Sequence, residues 1–444
     1  MKMFEIKEHG TSVRTEIVAG ITTFMTMAYI IFVNPAILSV PQPHGAGMNF
    51  EAVMAATCLS SAITTMLMAF LANYPIALAP GMGMNALFSF GICGAMKVSW
   101  DVALGIVFLS GVIFILLTGV GIREMIFKSI PDCLKFGTAA GIGLFIAFIG
   151  FKDAGIVVAH PETLVTLGNL TSKPAALALF GLLVTSVLIA REVRGGILWG
   201  LLTTGIIGAL IGIVQFEGAV IKLPSLKPTI GKMNVSGALS LAYLAPIFTF
   251  LYFAMFDAIG TLVGVGEKAG LIEKDGMKRL NRALLADATG SAIGAFLGTS
   301  TVTAYIESAS GVSEGGRTGL ANLVTATLFL VALFFGPIAV MFGGGYKDPV
   351  TGHILHPVTA PALIVVGSLM AEMVVRIRWS DVTEAMPAFL TIVAMPLTFS
   401  ISNGLALGFA SYPILKLVAG RGRDVHWLVY ILAAVFISRY ILLP

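Results

Sequence analysis

Charged side chains are scarce in this sequence of 444 residues, where Asp, Glu, Lys and Arg together make up 11%. A soluble globular domain carries about 25%. Hydrophobic residues make up 57% of the chain, and its mean hydropathy is +0.95. A chain of this composition cannot cover a water-facing surface, which excludes a soluble enzyme, a nucleic-acid-binding protein and a disordered tail. The composition predicts a polytopic membrane protein.

Cysteine and histidine are also few. The three cysteines lie in apolar stretches and indicate neither a disulfide framework nor a metal site. The six histidines all lie in loops or near the ends of apolar runs, and the sequence contains no HExxH or GxSxG motif. We therefore expect no metal, no cofactor and no enzyme active site. The net charge of +4 does not indicate a nucleic-acid partner, because most basic residues lie in short loops that set topology.

Long apolar runs occupy most of the remaining sequence. A membrane-spanning helix needs about 20 apolar residues, and the sequence predicts fourteen spans, of which the third and tenth are short or broken. The predicted spans are 17–38, 51–73, 78–95, 99–121, 133–152, 174–190, 196–215, 238–265, 283–299, 301–314, 318–342, 358–376, 382–398 and 401–418. A further apolar stretch, 427–442, is either a surface helix or a sign that one span near 382–418 is misplaced.

Basic residues concentrate in alternate loops, and the positive-inside rule makes those loops cytoplasmic. Both termini are then predicted to be cytoplasmic, in a chain that crosses the cytoplasmic (inner) membrane many times. The residues concerned are Lys2, Lys7, Arg14, Arg123, Lys128, Arg191, Arg194, Lys268, Lys274, Lys278, Arg279, Arg282, Arg376, Arg378, Arg421 and Arg423.

A weak internal repeat divides the chain into halves. Spans 1 and 8 start about 221 residues apart, and the broken span 78–95 has a counterpart at 301–314 with a similar offset. Because seven spans per half is an odd number, the second half must be inverted relative to the first. Inverted repeats with broken helices at matching positions are typical of secondary transporters, whose site lies at the midplane between the breaks.

The first break is the segment 80–85, which contains a proline and two glycines followed by Asn85. Such a segment does not form a comfortable continuous helix, and unwound backbone at membrane depth must be buried in protein or line a cavity. The Asn85 amide could donate to and accept from a heterocycle. A bond between Asn85 and a neighbouring helix is the alternative interpretation.

The second break runs from Gly298 to Ser308 and combines Thr, Ser and β-branched residues with one acid, Glu307. The pattern predicts a short extended segment leading into a half-helix. An acid at this depth costs free energy, and such acids normally have a function. The alternative is a structural role for Glu307, paired with Arg317 or a hydroxyl group.

Three further polar residues lie in apolar spans. Asp257 follows a long apolar run in span 8, and Thr261 lies one helical turn later on the same face. Asp287 in span 9 is either a proton relay or a structural partner of the Thr/Ser-rich segment. Glu314 and Glu372 lie near span ends, where we expect them to be solvated. Since no histidine lies inside a span, a proton coupled to transport would have to be carried by a carboxylate.

Several stretches together resemble the AzgA-like purine permeases of the nucleobase–ascorbate (nucleobase:cation symporter 2) transporters. They are GTSVRTEIVAGITTFMTMAYIIFVNPAIL, ALAPGMGMNALFSF, FDAIGTLVGVGEKAGL, GTSTVTAYIESASGVSEGGRTGL and EAMPAFLTIVAMPLTFSISNGLALGFASY. They extend from near residue 10 to about 415, which is almost the whole chain.

The resemblance implies an all-α polytopic fold of fourteen transmembrane segments in two inverted seven-span repeats. Short strands in spans 3 and 10 would meet at the midplane. Spans 1–4 and 8–11 would form a core domain, and spans 5–7 and 12–14 a gate domain through which a homodimer could form. The corresponding ranges are 17–121 and 238–342 for the core domain, and 133–215 and 358–442 for the gate domain.

The resemblance also implies site residues. Asp257 and Glu307 match the family's purine-binding acids, Asn85 its polar residue in span 3, and Tyr305 and Ile306 the backbone groups before the second acid. The substrate-binding set is completed by Thr261, Ala86 and Ala28. Related uracil permeases carry a histidine where this chain has Thr261. Asp257, Glu307 and Asp287 therefore remain as the candidate proton-coupling residues.

The resulting prediction is a secondary active transporter that imports adenine, hypoxanthine or guanine by proton symport with alternating access. Its partners would be a purine nucleobase, a proton and membrane lipid. A carrier of uracil or xanthine, or a sodium-coupled carrier, is the alternative. A channel or an intramembrane enzyme is a more distant alternative, because no nucleophile–base pair or metal-ligand set is visible.

Overall fold

The structure, a computed structural model, describes residues 4–120, 129–214, 221, 223–273, 276–349, 352 and 354–442. The residues Lys2, Arg123, Lys128, Lys274 and His353, on which part of the loop analysis depends, lie outside the described residues. The same holds for the side chains of 438–442 at the end of the last helix.

The described residues of the first half of the chain are mostly helical and include a single strand, which pairs with a strand of the second half, and a hairpin. The helices are α1 (Val13–Met27), α2 (Ile30–Leu38), α3 (Phe50–Leu71), α4 (Met82–Ala86, continued by a π-helix over Leu87–Ala95), α5 (Trp100–Val120), α6 (Asp132–Asp153), α7 (Lys173–Ala190) and α8 (Gly196–Leu210). The strands are β1 (Leu78–Pro80) and the hairpin β2 (Val157–His160) and β3 (Leu164–Leu167).

The second half contains a similar set of elements. Its helices are α9 (Val235–Ala238), α10 (Leu244–Lys268), α11 (Leu280–Leu297), α12 (Ser308–Ser313), α13 (Gly319–Ala332), α14 (Gly336–Gly343), α15 (Ala360–Ala371), α16 (Val382–Leu397), α17 (Ile401–Val418) and α18 (Trp427–Leu442). Its strands are β4 (Ile272–Glu273), β5 (Gly276–Met277), β6 (Val302–Ala304), β7 (Tyr346–Lys347) and β8 (Ile354–Leu355). Short 3₁₀ helices lie at Leu241–Tyr243, Glu372–Arg376 and Gly422–Asp424.

The helices pack as two groups. In the first group, α1 packs against α12 and α13, α3 against α11 and α13, and α5 against α10 and α11. In the second group, α6 packs against α15 and α16, α7 against α8 and α15, and α17 against α16 and α18. Contacts between the groups are sparser and involve α1 with α8, α4 with α6 and α10 with α18. These sparse contacts form an interface along which the two groups could move against each other.

Glycines allow the close packing inside the second group. A Cβ atom placed on Gly143 of α6 would lie 2.6 Å from the Gly367 carbonyl oxygen of α15, which is too close for any side chain. Small residues at helix interfaces let membrane helices approach closely, so that van der Waals packing and weak polar contacts hold them together. The abundance of glycine in the sequence is explained in part by such contacts.

The two predicted breaks meet inside the first helix group. β1 and β6 form an antiparallel pair in which Leu78 faces Ala304, Ala79 faces Thr303 and Pro80 faces Val302. The pair is extended by hydrogen bonds from Gly81 N–H to the Thr301 carbonyl and from Tyr305 N–H to the Ala77 carbonyl, each 3.0 Å. Both strands are fully buried, so the unwound backbone satisfies its polar groups within protein, as membrane depth requires.

Equivalent helices support the two strands in an equivalent way. On α3, the Thr65 hydroxyl accepts from Leu78 N–H at 2.9 Å and donates to the Leu78 carbonyl at 3.1 Å. On α11, the Ser291 hydroxyl donates to the Val302 carbonyl at 3.3 Å. Each hydroxyl therefore bonds the first residue of its strand. This arrangement is consistent with the repeat inferred from the sequence.

Backbone geometry explains why the breaks need glycine. Gly298 follows the last residue of α11 and has φ of +98°. Residues other than glycine rarely adopt this left-handed backbone conformation. Gly81 follows β1, and a Cβ there would lie 2.9 Å from the Thr303 methyl group. Glycine at these two positions therefore permits the turn out of α11 and the close approach of the two strands.

Most predicted spans correspond to helices, with some differences in their ends. Among the described residues, seven helices are long and apolar enough to cross a membrane, and several shorter apolar helices accompany them; the count of fourteen spans stays a prediction. Span 11 is broken between α13 and α14. Span 8 begins at Leu244 rather than at 238, because Asn234 and Ser240 cap short turns before it. The stretch 427–442 forms the helix α18, which packs against α17 and α10.

Candidate functional site

The candidate site lies beside the paired strands, where α10 passes β6. Asp257 lies near the middle of α10 and is half-buried. A side chain at Gly81 would bring its Cβ within 3.8 Å of the Asp257 Oδ2. The Asp257 carboxylate therefore lies close to Gly81, the residue that follows β1.

Glu307 lies between β6 and α12, at the position that precedes the first residue of α12. Its carboxylate does not cap that helix. Instead, Oε1 accepts a hydrogen bond of 2.6 Å from the Tyr29 hydroxyl, and the Thr26 hydroxyl lies 3.3 Å from the Glu307 carbonyl oxygen. In the described ranges no other side chain hydrogen-bonds this carboxylate.

The two acids lie close enough to interact electrostatically. Thr303 of β6 lies near Asp257 and also near Asp287. Carboxylate oxygens accept hydrogen bonds. The arrangement can therefore bind a molecule that supplies hydrogen-bond donors.

The backbone before Glu307 offers one free donor. Tyr305 N–H is bonded to Ala77 in the strand ladder, and the Tyr305 hydroxyl donates to the Pro80 carbonyl at 2.5 Å. The Tyr305 N–H is therefore used by the strand pairing, and the role of the Tyr305 backbone in substrate binding stays a prediction. The Ile306 N–H has no acceptor in the described part of the chain, and the Ile306 side chain is 56% exposed. Ile306 thus supplies both a donor and an apolar surface.

The other predicted site residues lie deeper in the protein. Asn85 is completely buried, and its Oδ1 accepts from the Ser300 hydroxyl, while its Nδ2 has no partner among the described residues. The Asn85 bond to Ser300 joins it to the loop before β6 and not to a neighbouring helix, and its role in substrate binding stays a prediction. Thr261, Ala86 and Ala28 are also buried, with Ala28 in the turn between α1 and α2.

Asp287 lies behind β6. It is fully buried on α11, and its Oδ1 accepts from the Ala304 N–H at 2.8 Å. Its Oδ2 has no partner among the described residues. Asp287 therefore supports the strand, which was one of its two interpretations; its role in proton coupling stays a prediction.

The contact with Ala304 makes a stability difference between two Asp287 variants testable. Asp287→Ala would leave the Ala304 N–H buried and unpaired, which costs about 1–3 kcal/mol. Asp287→Asn keeps a carbonyl oxygen as the acceptor. We expect the alanine variant to unfold several degrees below the asparagine variant, measured by thermal unfolding of both purified proteins in the same detergent. Equal unfolding temperatures would contradict the supporting role of Asp287.

Exposure differs between the two halves of α10. Gly260, Val263 and Gly264, in the second half of the helix, are exposed, and a Cβ on Gly260 would meet no atom within 4 Å. In the first half, Leu251, Tyr252 and Met255 pack near Ile130 and Lys135, around a cavity of about 20 Å³. These exposed residues therefore lie toward the end of α10 where Lys268 lies.

Three features of the site region differ from the expectations. Tyr29 was not identified from the sequence, although a phenol in the middle of an apolar span is a signal that its hydroxyl needs a partner. Glu314 is not fully solvated, because it forms an ion pair of 2.5 Å with Arg194 and its side chain is 20% exposed. Arg317 does not pair with Glu307; its guanidinium donates to the Val312 and Gly316 carbonyls, each at 2.7 Å.

Several known proteins are similar to this chain over nearly its full length. The putative permease MJ0326 of Methanocaldococcus jannaschii is 52% identical, with 100% of this chain and 98% of the relative covered. The guanine/hypoxanthine permease PbuG of Bacillus subtilis is 45% identical, with 99% of each chain covered. The adenine permease AdeP of Escherichia coli is 43% identical, with 99% of this chain and 95% of the relative covered.

The fold is also similar to that of a solved transporter. The transmembrane domain of the cyanobacterial bicarbonate transporter BicA superposes with a TM-score of 0.63, covering 89% of this chain and 96% of that chain at 16% identity. At this identity the likeness concerns the fold alone. It shows that the chain has a helical polytopic membrane fold.

The family follows from a match that covers most of the sequence. The model of the family Xan_ur_permease, described as a permease family, matches residues 14–407, and this range contains both acids and both strands of the site. The resemblance drawn from the motifs is confirmed, as is the expectation that the chain is a transporter and not an enzyme. The chain is a multi-pass membrane protein that belongs to the permease family Xan_ur_permease.

Proposed function

We propose that this chain is a secondary active transporter that imports a purine nucleobase together with a proton. The observation that carries the proposal is the pair of acids, Asp257 and Glu307, beside the crossing of two broken helices. The relatives named as adenine and guanine/hypoxanthine permeases, at 43% and 45% identity, favour purines over other nucleobases.

The chemistry of the site fits a planar heterocycle. A purine base carries ring N–H donors and ring nitrogen acceptors at its edge. Glu307 Oε2 and the Asp257 carboxylate accept from such donors, and a protonated carboxyl group donates to a ring nitrogen. The Ile306 N–H supplies a further donor, and its exposed side chain supplies apolar contact for the ring face. Each hydrogen bond gains strength where water is excluded.

The two acids receive different roles in this proposal. Glu307 is held by Tyr29 and anchors the base. Asp257 lies on α10 and couples base binding to protonation. Thr303 lies near both Asp257 and Asp287, and Asp287 is therefore a further candidate for the proton path. Asn85 and Thr261 support the site from behind in this conformation.

Movement between the two helix groups would provide alternating access. The first group, which contains the acids and the strand pair, corresponds to the core domain, and the second group to the gate domain. Sparse contacts between the groups support this assignment. The predicted fourteen spans, the inverted repeats, the cytoplasmic location of both termini, the inner-membrane location and dimerisation through the gate domain belong to the same proposal.

Uptake measurements test the proposed function directly. We expect cells that express this chain to accumulate at least one of labelled adenine, hypoxanthine and guanine faster than cells with empty vector. A protonophore should reduce that accumulation to the vector level, because the proton gradient drives it. Absence of uptake of all three bases would contradict the proposal, and sodium-dependent uptake that resists the protonophore would contradict proton coupling.

A further inference from the structure

We infer that the end of α1 and the turn that follows it position the anchoring acid of the site, with Tyr29 holding the Glu307 carboxylate and Thr26 contacting the Glu307 backbone. This inference rests on the proposed function and deepens it, because it assigns roles in substrate affinity to two residues that do not themselves contact the substrate. It starts from the break in the first membrane helix.

The break places Tyr29 against the site. α1 ends at Met27 and α2 begins at Ile30, and the turn between them is closed by hydrogen bonds from Ile31 N–H to the Ala28 carbonyl and from Phe32 N–H to the Tyr29 carbonyl, each 3.1 Å. Tyr29 is 1% exposed. A phenol that is buried this completely needs a partner for its hydroxyl, and here the partner is the Glu307 carboxylate.

Thr26 reinforces the same contact from one turn earlier. Tyr29 lies in the turn that follows α1, three residues after Thr26, and both residues contact Glu307. The single proton of the Thr26 hydroxyl has its nearest acceptor in the Thr23 carbonyl at 2.9 Å, while the Thr22 and Glu307 carbonyls lie at 3.1 Å and 3.3 Å. The side chain of the acid is thus held by Tyr29, and its backbone carbonyl is contacted by Thr26.

Close packing makes this arrangement rigid. A Cβ on Gly311 of α12 would lie 2.6 Å from the Ala19 carbonyl oxygen of α1, so the absence of a side chain there allows the two helices to approach closely. Glu307 precedes α12 directly. The acid therefore has little freedom to move relative to α1, and its position is set before a ligand arrives.

The consequence concerns how Glu307 binds. Tyr29 occupies Oε1 and fixes the plane of the carboxylate, so Oε2 is presented in one orientation. Pre-organising a binding group lowers the entropy lost on association. A carboxylate without this support would sample several rotamers, and the base would bind less tightly, while the movement of the helix groups would be unaffected.

The test compares Tyr29→Phe with a matched control. Tyr29→Phe keeps the ring and removes the hydroxyl. Tyr430→Phe removes a phenol hydrogen bond of 2.9 Å to the Gly422 carbonyl, outside the proposed site. We expect Tyr29→Phe to raise the KM for uptake of labelled adenine, hypoxanthine or guanine about tenfold, with Vmax within about twofold of wild type, because a hydrogen bond to a charged group is lost. The control should leave both constants unchanged.

A second measurement does not depend on transport. A hydrophobic carbodiimide modifies carboxyl groups in membrane proteins, and mass spectrometry of the purified chain reports how fast Glu307 reacts. Release from Tyr29 should increase the rate at Glu307 several-fold in Tyr29→Phe and not in Tyr430→Phe. If Tyr29→Phe does not reach the membrane, Thr26→Val serves in both measurements, with a smaller rise in KM of about threefold expected for a weaker contact.

The outcomes separate the inference from the proposed function. Suppose that the wild type takes up a base and that the variants have the same KM and the same labelling rate at Glu307 as the wild type. This result would overturn the inference and leave the proposed function standing. No uptake of any of the three bases by the wild type would overturn the proposed function, and the labelling rates alone would then decide whether α1 holds Glu307. A raised KM with faster labelling supports both.

Discussion

Replacing Glu307 with alanine is expected to lower the initial rate of purine uptake at least about a hundredfold. The substitution removes the charged acceptor that would anchor the base, and hydrogen bonds to charged groups contribute about 1.5–3 kcal/mol each. It also leaves the buried Tyr29 hydroxyl without its partner. The measurement is uptake of labelled adenine, hypoxanthine and guanine, normalised to the amount of protein in the membrane.

The control for this experiment is Glu314→Gln. Glu314 lies seven residues further along the chain and pairs with Arg194 outside the site. A half-exposed ion pair of this kind contributes about 0–1 kcal/mol, so we expect uptake within about twofold of wild type. Wild-type uptake by Glu307→Ala at wild-type membrane abundance would remove Glu307 from the site.

Replacing Asp257 with asparagine is expected to abolish accumulation of the base against its gradient. Asparagine has nearly the same shape as aspartate but cannot take up and release a proton, so it would break the link between base binding and the proton gradient. Binding itself would be largely kept, because the amide still offers a carbonyl acceptor. In proteoliposomes we expect exchange of labelled for unlabelled base to persist, with a KM that changes less than about threefold, while a pH gradient no longer drives accumulation.

Glu267→Gln is the matched control on the same helix. Glu267 lies near the end of α10 and is exposed, so its neutralisation should leave gradient-driven accumulation unchanged. If Asp257→Asn accumulates the base as well as wild type does, and does so with protonophore sensitivity, the coupling role must belong to another residue, with Asp287 as the next candidate.

The sequence contained enough information to predict the membrane class, the family and the two breaks. Few charges and long apolar runs leave no alternative to a membrane fold, because lipid demands that the backbone satisfy its own hydrogen bonds. The Pro80–Gly81 and Gly298 positions marked where helices could not continue, and the acids Asp257 and Glu307 stood out because charge is unfavourable at such depth.

Helix ends were less predictable. Span 8 was predicted six residues too early and span 11 was predicted as continuous, whereas the structure separates α13 from α14. Hydropathy averages over a window and is insensitive to the caps and tight turns that end a helix. The hydroxyl and amide caps at Asn234 and Ser240, for instance, act through local geometry and leave mean hydropathy almost unchanged.

The direction in which each polar side chain points was decided by tertiary structure. Asn85 and Asp287 are polar residues of the kind that bind ligands, yet Asn85 bonds Ser300 and Asp287 bonds Ala304. The first contact joins segments distant in sequence, and the second joins α11 to β6 across the break. The N–H of Tyr305 is used by the strand pairing. A buried polar group takes whichever partner the fold brings within reach, and the sequence does not state which one that is.

By itself the sequence determined that this protein is a multi-pass permease and where its third and tenth predicted spans break, because composition and breaking residues act locally. Only the tertiary structure decided that the breaks pair as strands, that α10 brings Asp257 to them, and that Tyr29, 278 residues away in sequence, holds Glu307. These contacts depend on helices packing at glycine positions such as Gly311, where the distance between backbones is set by the whole first helix group.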